Sequence, residues 1–375
     1  MPPAAPKRVL IVDDSAVMRS LLRSVLRSAR GFEVAGAAGD GESALRLIAE
    51  LRPDLVLLDV EMPVMDGLAT LRKLRAQGHK TPVIMCSALT QRGGRVTIEA
   101  LASGASDYVA KPKGQVGPAE AIQTLSRELL PKITALTTVE PVIPVNPLAP
   151  RFPLASEVPG ATQALSVCAA PSVLVVGVST GGPAALDIVL PALPPTFPLP
   201  VLIVQHMPEL FTKLLAERLA QRCSLRVGEA AEGDPVRAGQ IVIARGNWHL
   251  EVLAPSRSGQ AKTLHLNQAP PENHCRPSAD VLFRTAAAHY GSAVLAVVLT
   301  GMGSDGLAGA RIVRAKGGTV LAQDQATSAI WGMPGAVTRA GLAQRILPIQ
   351  EIASELIRLA SRVPSKQNDG REGVA

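Results

Sequence analysis

Leu55-Val56-Leu57-Leu58-Asp59-Val60-Glu61-Met62-Pro63-Val64-Met65-Asp66-Gly67 is an apolar run that stops at a carboxylate and breaks into a turn. Four consecutive aliphatic residues bounded by turn residues read as a strand buried on both faces, as strands of parallel sheets do. The same grammar recurs on either side: Val9 to Val12 leads into Asp13-Asp14, Val83 to Met85 towards Ser87, and Tyr108 to Ala110 into Lys111. Between these runs Val17, Leu21, Leu22, Val25 and Leu26, and then Ala44, Leu45, Ile48 and Leu51, return at helical spacing. Alternating strands and helices predict βαβ units, hence a doubly wound parallel sheet with functional groups at the carboxyl ends of its strands.

With Asp59 ending the third strand, Ser87 the fourth and Lys111 the fifth, these residues and Asp13-Asp14 fall at one sheet edge. Three carboxylates brought that close repel one another, and a divalent cation resolves the repulsion; hard oxygen ligands with room for water favour Mg²⁺. An aspartate beside Mg²⁺, with a lysine and a hydroxyl nearby, is equipped to accept a phosphoryl group on its own carboxylate. Taken singly, Asp14 before Ser15 and Asp66 before Gly67 also read as helix caps or turn residues. It is the five positions in strand register that make a site.

Residues 8 to about 130 thereby resemble a two-component receiver domain, through Asp13-Asp14, the L-L-D-V-E-M-P-V-M-D-G segment around Asp59, Ser87, and the Tyr108 to Lys111-Pro112 ending. The resemblance implies a flavodoxin-like fold and phosphate transfer to Asp59 from a histidine kinase. It further implies Mg²⁺ held by Asp14, Asp59 and the backbone carbonyl of Glu61, with Asp13 acting through water, and a cis bond before Pro112. Tyr108 stands at the family's aromatic switch position.

From about Thr137 to Pro171 the chain changes character, broken by Pro141, Pro144, Pro147, Pro150, Pro153 and Pro159, with few charges and no periodicity. That reads as a semi-extended linker. A second alternating region starts at Val173, with strand runs at Val173 to Val176, Val201 to Val204, Ile241 to Ile243 and Val294 to Leu299. Helical patterns span Leu210 to Leu219, Ala279 to Ala288 and Leu307 to Val313, and a last one lies near Ile352 to Leu359. The expected division is a receiver at 7–130, a linker at 131–171, a catalytic domain at 172–362 and a frayed tail at 363–375.

Gly177-Val178-Ser179-Thr180-Gly181-Gly182 follows the first of these strands and opens a helix. A serine on a Gly-flanked strand-to-helix turn is exposed for attack, and the free N–H groups there help to place an oxyanion. A Gly-rich turn of this kind also binds phosphates. Of six histidines, His206 ends the next strand, at the edge that carries Ser179. Asp280, Asp305 and Asp324 all qualify as the third member; Asp305 is favoured because Leu299-Thr300-Gly301-Met302-Gly303-Ser304-Asp305-Gly306 leaves a strand at the same edge, although it also reads as a cap on the helix near Leu307. The order Ser, His, Asp differs from the Ser, Asp, His of α/β-hydrolases, so another fold hosts the triad.

Residues from about 172 to 360 resemble the catalytic domain of chemotaxis protein-glutamate methylesterases, a Rossmann-like α/β domain, through G-V-S-T-G-G, Q-H-M-P, R-P-S-A-D-V-L-F from Arg276, L-T-G-M-G-S-D-G and W-G-M-P from Trp331. The resemblance implies phosphorylation-activated removal of methyl groups from γ-glutamyl methyl esters of methyl-accepting chemoreceptors and deamidation of receptor glutamines. It implies Ser179 as nucleophile, His206 as base, Asp305 as its partner, the Met302 N–H as oxyanion donor, and Thr180 as support for the histidine and oxyanion region, with no metal in this domain. The competing readings are a response regulator with a non-catalytic partner-binding or DNA-binding output, and a small-molecule esterase.

Composition agrees with an α/β enzyme. Aliphatic residues dominate a 47% hydrophobic content in which only 2% of the chain is aromatic, which suits layered cores and is poor for base stacking. The net charge of +7 is spread over interleaved acids and bases, so a nucleic-acid partner is not expected. No run approaches the length of a membrane span or a signal-peptide core, so a cytoplasmic protein is expected. Cys86, Cys168, Cys223 and Cys275 form no CxxC pair and read as reduced thiols, and Cys275 beside His274 reads as chance adjacency.

Overall fold

The computed structural model describes residues 5–88, 90–112, 117–138, 170–255 and 261–361. The Pro-rich segment at 139–169 and the tail at 363–375 lie outside the described residues.

The first sheet is built from β1 (Lys7–Val12), β2 (Phe32–Ala38), β3 (Leu55–Asp59), β4 (Val83–Ser87) and β5 (Asp107–Ala110). All pairs are parallel and the order is β2-β1-β3-β4-β5. Helices α1 (Ala16–Ser28), α2 (Gly41–Leu51), α3 (Gly67–Ala76), α4 (Gln91–Ala102) and α5 (Pro118–Thr137) cover it. Asp40, Asp66 and Thr90 cap α2, α3 and α4 by accepting from the N–H three residues on. In α1, Leu22, Val25 and Leu26 are buried whereas Val17 faces solvent. Strand β2 had no clear apolar run: it is an edge strand, mostly half-buried, and needs no continuous aliphatic sequence.

Residues 131–137, expected to begin the linker, are the last turns of α5. Leu125, Leu129 and Ile133, spaced by four, are all buried, and this apolar ladder outweighs Pro131, which removes one helical N–H and crowds the carbonyl four residues back.

The second domain is a sheet ordered β14-β13-β12-β6-β7-β9-β8, parallel throughout. Its strands are β6 (Val173–Val178), β7 (Val201–Gln205), β8 (Arg226–Glu229), β9 (Gln240–Ile243), β12 (Val294–Val298), β13 (Thr319–Gln323) and β14 (Arg345–Leu347). An antiparallel hairpin of β10 (His249–Leu253) and β11 (Thr263–Asn267) stands apart. Helices α6 (Gly182–Val189), α7 (Glu209–Ala220), α8 (Ala279–Tyr290), α9 (Leu307–Ala315), α10 (Met333–Arg339) and α11 (Ile349–Ala360) complete the layers. From β6 the chain winds outward through β7, then returns to place β12 on the other side of β6. The crevice at that reversal, beyond the carboxyl ends of β6 and β12, is where sheets of this kind bind ligands.

The two domains touch through α4 of the first and α6 and α7 of the second, and β5 adds Tyr108 against α7. A Cβ on Gly94 would lie 2.7 Å from Leu214 Cδ1, so glycine lets α4 settle onto α7. Tyr108 stacks on Phe211 with ring centroids 4.4 Å apart, and Arg95 pairs with Glu217 at 3.0 Å on the rim. One apolar cluster runs across this contact.

Candidate active site

In the first domain the ends of β1 and β3 bring Asp13, Asp14 and Asp59 together, with ligand oxygens within 4.8 Å of one another. Lys111 Nζ reaches Asp13 Oδ2 at 2.8 Å and Asp59 Oδ2 at 2.7 Å. Burial pushes the Asp59 carboxyl up to about 6 despite the opposing Lys111 ammonium. An all-oxygen, anionic donor set of this kind fits a hard divalent cation. The Glu61 carboxylate turns outward to Arg92 at 3.6 Å, leaving its backbone for the site. Ser87, fully buried, donates to the Ala88 carbonyl at 3.2 Å. The expected cis bond before Pro112 is not found: Arg276-Pro277 is the cis peptide among the described residues. The trans form is intrinsically preferred at X-Pro bonds, and with it Lys111 already reaches both carboxylates.

In the second domain Ser179 leaves β6, His206 leaves β7 and Asp305 follows β12, and all three meet at the crevice. His206 Nε2 lies 2.7 Å from Asp305 Oδ2. Asp305 is 2% exposed and accepts in addition from Ser278 Oγ at 2.7 Å and from Ala279 N at 2.6 Å, at the start of α8. Burial works against its charge, but His206 and these donors prevail and hold its carboxyl far below the usual range. Burial also works against the His206 charge, and the hydrogen bonds to Asp305 and Cys275 overcome it, raising the imidazole to about 9. Asp324 plays no part here; it caps a turn through Thr327 N at 3.0 Å. Asp280 sits next door, accepting from Gly309 N at 2.6 Å.

The backbone beside the nucleophile candidate is set by glycine. A Cβ on Gly301 would lie 2.8 Å from Ser179 Cβ, so the Gly301-Met302 strand end runs hard against Ser179. Gln205 Nε2 donates to the Ser179 carbonyl at 2.9 Å and fixes the elbow from below.

Two placements differ from expectation. Thr180, expected to support His206, donates its hydroxyl across the domain boundary to Asp107 Oδ2 at 2.6 Å, because that buried carboxylate outcompetes any neutral acceptor nearby. The other Asp107 oxygen accepts from Lys132 Nζ at 3.0 Å and from Tyr108 N at 2.7 Å. Cys275, read only as a neighbour of His274, instead faces another histidine: its Sγ lies 3.5 Å from His206 Nδ1. Asp107, Asn273 and Ser278 are partners that sequence reasoning passed over. Only Asn273-His274, a pair suited to a tight turn, left a signal.

Ser179, Thr180, His206 and Cys275 line a cavity of about 390 Å³ that Asp107, Tyr108 and Lys132 of the first domain roof over. Among the described residues no helix is long and apolar enough to cross a membrane.

Comparison with known proteins gives the chain's family. The CheB methylesterase family matches residues 174–356, and the response regulator receiver domain family residues 9–123. A protein-glutamate methylesterase/protein-glutamine glutaminase of a Nocardioides species is 48% identical over 96% of this chain and 97% of its own. The chain belongs to the CheB methylesterase family. A relative of the same description from Trichodesmium erythraeum is 45% identical over 94% of this chain and 98% of its own. The crystal structure of the Thermotoga maritima CheB methylesterase catalytic domain aligns with a TM-score of 0.49 at 43% identity, covering 50% of this chain and 98% of that one. Within the CheB family an output domain is an enzyme, so the non-catalytic reading is not favoured.

Proposed function

We propose that Ser179 is the nucleophile, His206 the general base and Asp305 its orienting partner in a protein-glutamate methylesterase and protein-glutamine glutaminase that its receiver domain holds closed and phosphorylation opens. The observation that carries this reading is the 2.7 Å His206–Asp305 pair set beside Ser179 beneath the receiver's Asp107 and Tyr108.

Ser179 Oγ attacks the carbonyl carbon of a γ-glutamyl methyl ester on a chemoreceptor. His206 takes the serine proton and returns it to departing methanol, and water then hydrolyses the acyl-enzyme. With a receptor glutamine the leaving group is ammonia. Because Nε2 is engaged by Asp305, the proton travels through Nδ1, which faces Cys275 Sγ at 3.5 Å while the cleft is closed and turns to Ser179 when it opens. The Met302 N–H receives the oxyanion, and Thr180 supports that region once Asp107 withdraws.

Upstream, Asp59 attacks the phosphoryl group offered by a histidine kinase in the cytoplasm. Asp14, Asp59 and the Glu61 carbonyl, with Asp13 through water, would hold Mg²⁺, which when bound neutralises the phosphoryl oxygens. Lys111 neutralises the remainder, and Ser87 and Tyr108 repack around the new group, loosening β5 from Thr180.

Methanol release from methylated receptor membranes tests the switch: phosphodonor is expected to accelerate the wild type and to leave Asp59→Asn at the unphosphorylated rate. Equal wild-type rates with and without phosphodonor overturn the gating. A pH profile tests the base. A general base must be neutral, so kcat/KM is low below its pKa and rises through it. Since His206 is raised to about 9, the acid limb is expected on the alkaline side of an ordinary imidazole's roughly 6.5. Opening the cleft relieves the burial that opposes the charge, so the limb stays there. A limb at or below the ordinary value contradicts the raised His206 pKa and with it Asp305's hold on the imidazole in the open enzyme.

A further inference from the structure

Residues 272–275 form a two-residue turn: Glu272 N donates to the Cys275 carbonyl at 3.1 Å and Cys275 N to the Glu272 carbonyl at 2.8 Å. The central residues, Asn273 and His274, hold φ at 51° and 63°. This left-handed region disfavours most side chains, but Asn tolerates it. A bidentate ion pair between Glu272 and Arg284, at 2.8 and 3.1 Å, ties the turn to α8. From this turn two side chains reach the reacting groups. Cys275 Sγ faces His206 Nδ1, and Asn273 Nδ2 donates to Asp305 Oδ1 at 2.9 Å and to Asp280 Oδ2 at 2.8 Å.

The chemistry of the Asn273 position is narrow. Asp280 and Asp305 are 3% and 2% exposed, and two buried carboxylates side by side repel. One amide nitrogen carries two N–H groups and no charge, so it satisfies both acids with a single atom. An aspartate at this position keeps the backbone conformation but turns a donor into a third acceptor. An alanine removes the donor and resists the φ. Asn alone among small side chains meets both demands without adding charge.

We infer that Asn273 is a positioning residue for the hydrolytic reaction, holding the Asp305 carboxylate in the orientation that fixes the His206 ring. It lines the cavity that holds Ser179, but its hydrogen bonds run to Asp305 and Asp280, and it acts through Asp305. The inference rests on the reading of His206 and Asp305 given above. The ionisable groups packed around Asp305 are His206, Asp280 and Glu272, the last offset by Arg284.

Asn273→Gly keeps the left-handed turn accessible and deletes only the amide. In the full-length phosphorylated protein, kcat for methanol release is expected to fall at least about tenfold with KM within about twofold, as small misplacements of catalytic groups do. The acid limb of kcat/KM should also move to lower pH, because a loosened Asp305 raises His206 less. Asn273→Asp, isosteric and equally tolerant of the turn, should fall further. If the residue served only the turn, both variants would match the wild type in kcat and pH profile, and that result overturns the inference. Should Asn273→Gly fail to fold, Asn273→Asp decides by kcat alone, and a wild-type kcat there overturns the inference. Ser179→Ala run alongside separates the two readings: activity retained there removes the proposed nucleophile whatever Asn273 does. A dead Ser179→Ala beside a wild-type Asn273→Gly removes only this inference.

Discussion

Ser179→Ala is expected to lower methanol release from methylated receptors by about four to six orders of magnitude, the range seen when a triad nucleophile is removed. The expectation follows from geometry. The turn after β6 presents Ser179 at the crevice, its carbonyl is pinned by Gln205, and its N–H is engaged by the Thr300 carbonyl at 3.0 Å, so removing Oγ leaves the elbow intact. The variant should therefore fold, bind receptor and accept phosphate on Asp59, and should lose labelling by a fluorophosphonate that modifies the wild type. Demethylation persisting in a labelling-negative variant would falsify the assignment of the nucleophile.

Asp107→Ala is expected to act in the opposite direction, raising release without phosphodonor by roughly 10- to 100-fold. Asp107 lends one oxygen to Lys132 and Tyr108 within the receiver and the other to Thr180 beside the nucleophile. A hydrogen bond to a buried carboxylate contributes about 1.5–3 kcal/mol, and losing it shifts a closed-to-open equilibrium by the corresponding factor. On the proposed gating the phosphorylated enzyme has already released this contact, so its rate should change much less. Unchanged basal activity in a variant that still takes phosphate on Asp59 would mean that closure rests on the Tyr108–Phe211 stack and the α4–α7 packing alone.

How far the sequence foretold this molecule depended on where each residue's partners lie. Asp13, Asp59 and Lys111 were legible because β1, β3 and β5 are buried, continuous runs whose ends mark one edge, and the same holds for Ser179, His206 and Asp305. Edge strand β2 was faint because half-burial leaves no strong pattern. The end of α5 was missed because the linker's lack of pattern was extended back to residue 131, whereas three buried residues spaced by four decide the helix. The contact Thr180 makes here was not legible for a different reason: its acceptor belongs to another domain 73 residues away, and no local pattern encodes a contact made only when two folded units dock. Cys275 is similar, 69 residues from the imidazole it faces.

The seating of α4 on α7, made possible at Gly94, has a consequence for traffic at this surface. While the cleft is shut, α4 and β5 are occupied by the protein's own second domain. Any protein that grips those elements must first take them from it, so it binds only open molecules and draws the population towards the open form by mass action. Occupancy of that face and access to Ser179 are thus linked quantities: whatever competes for the one must raise the other.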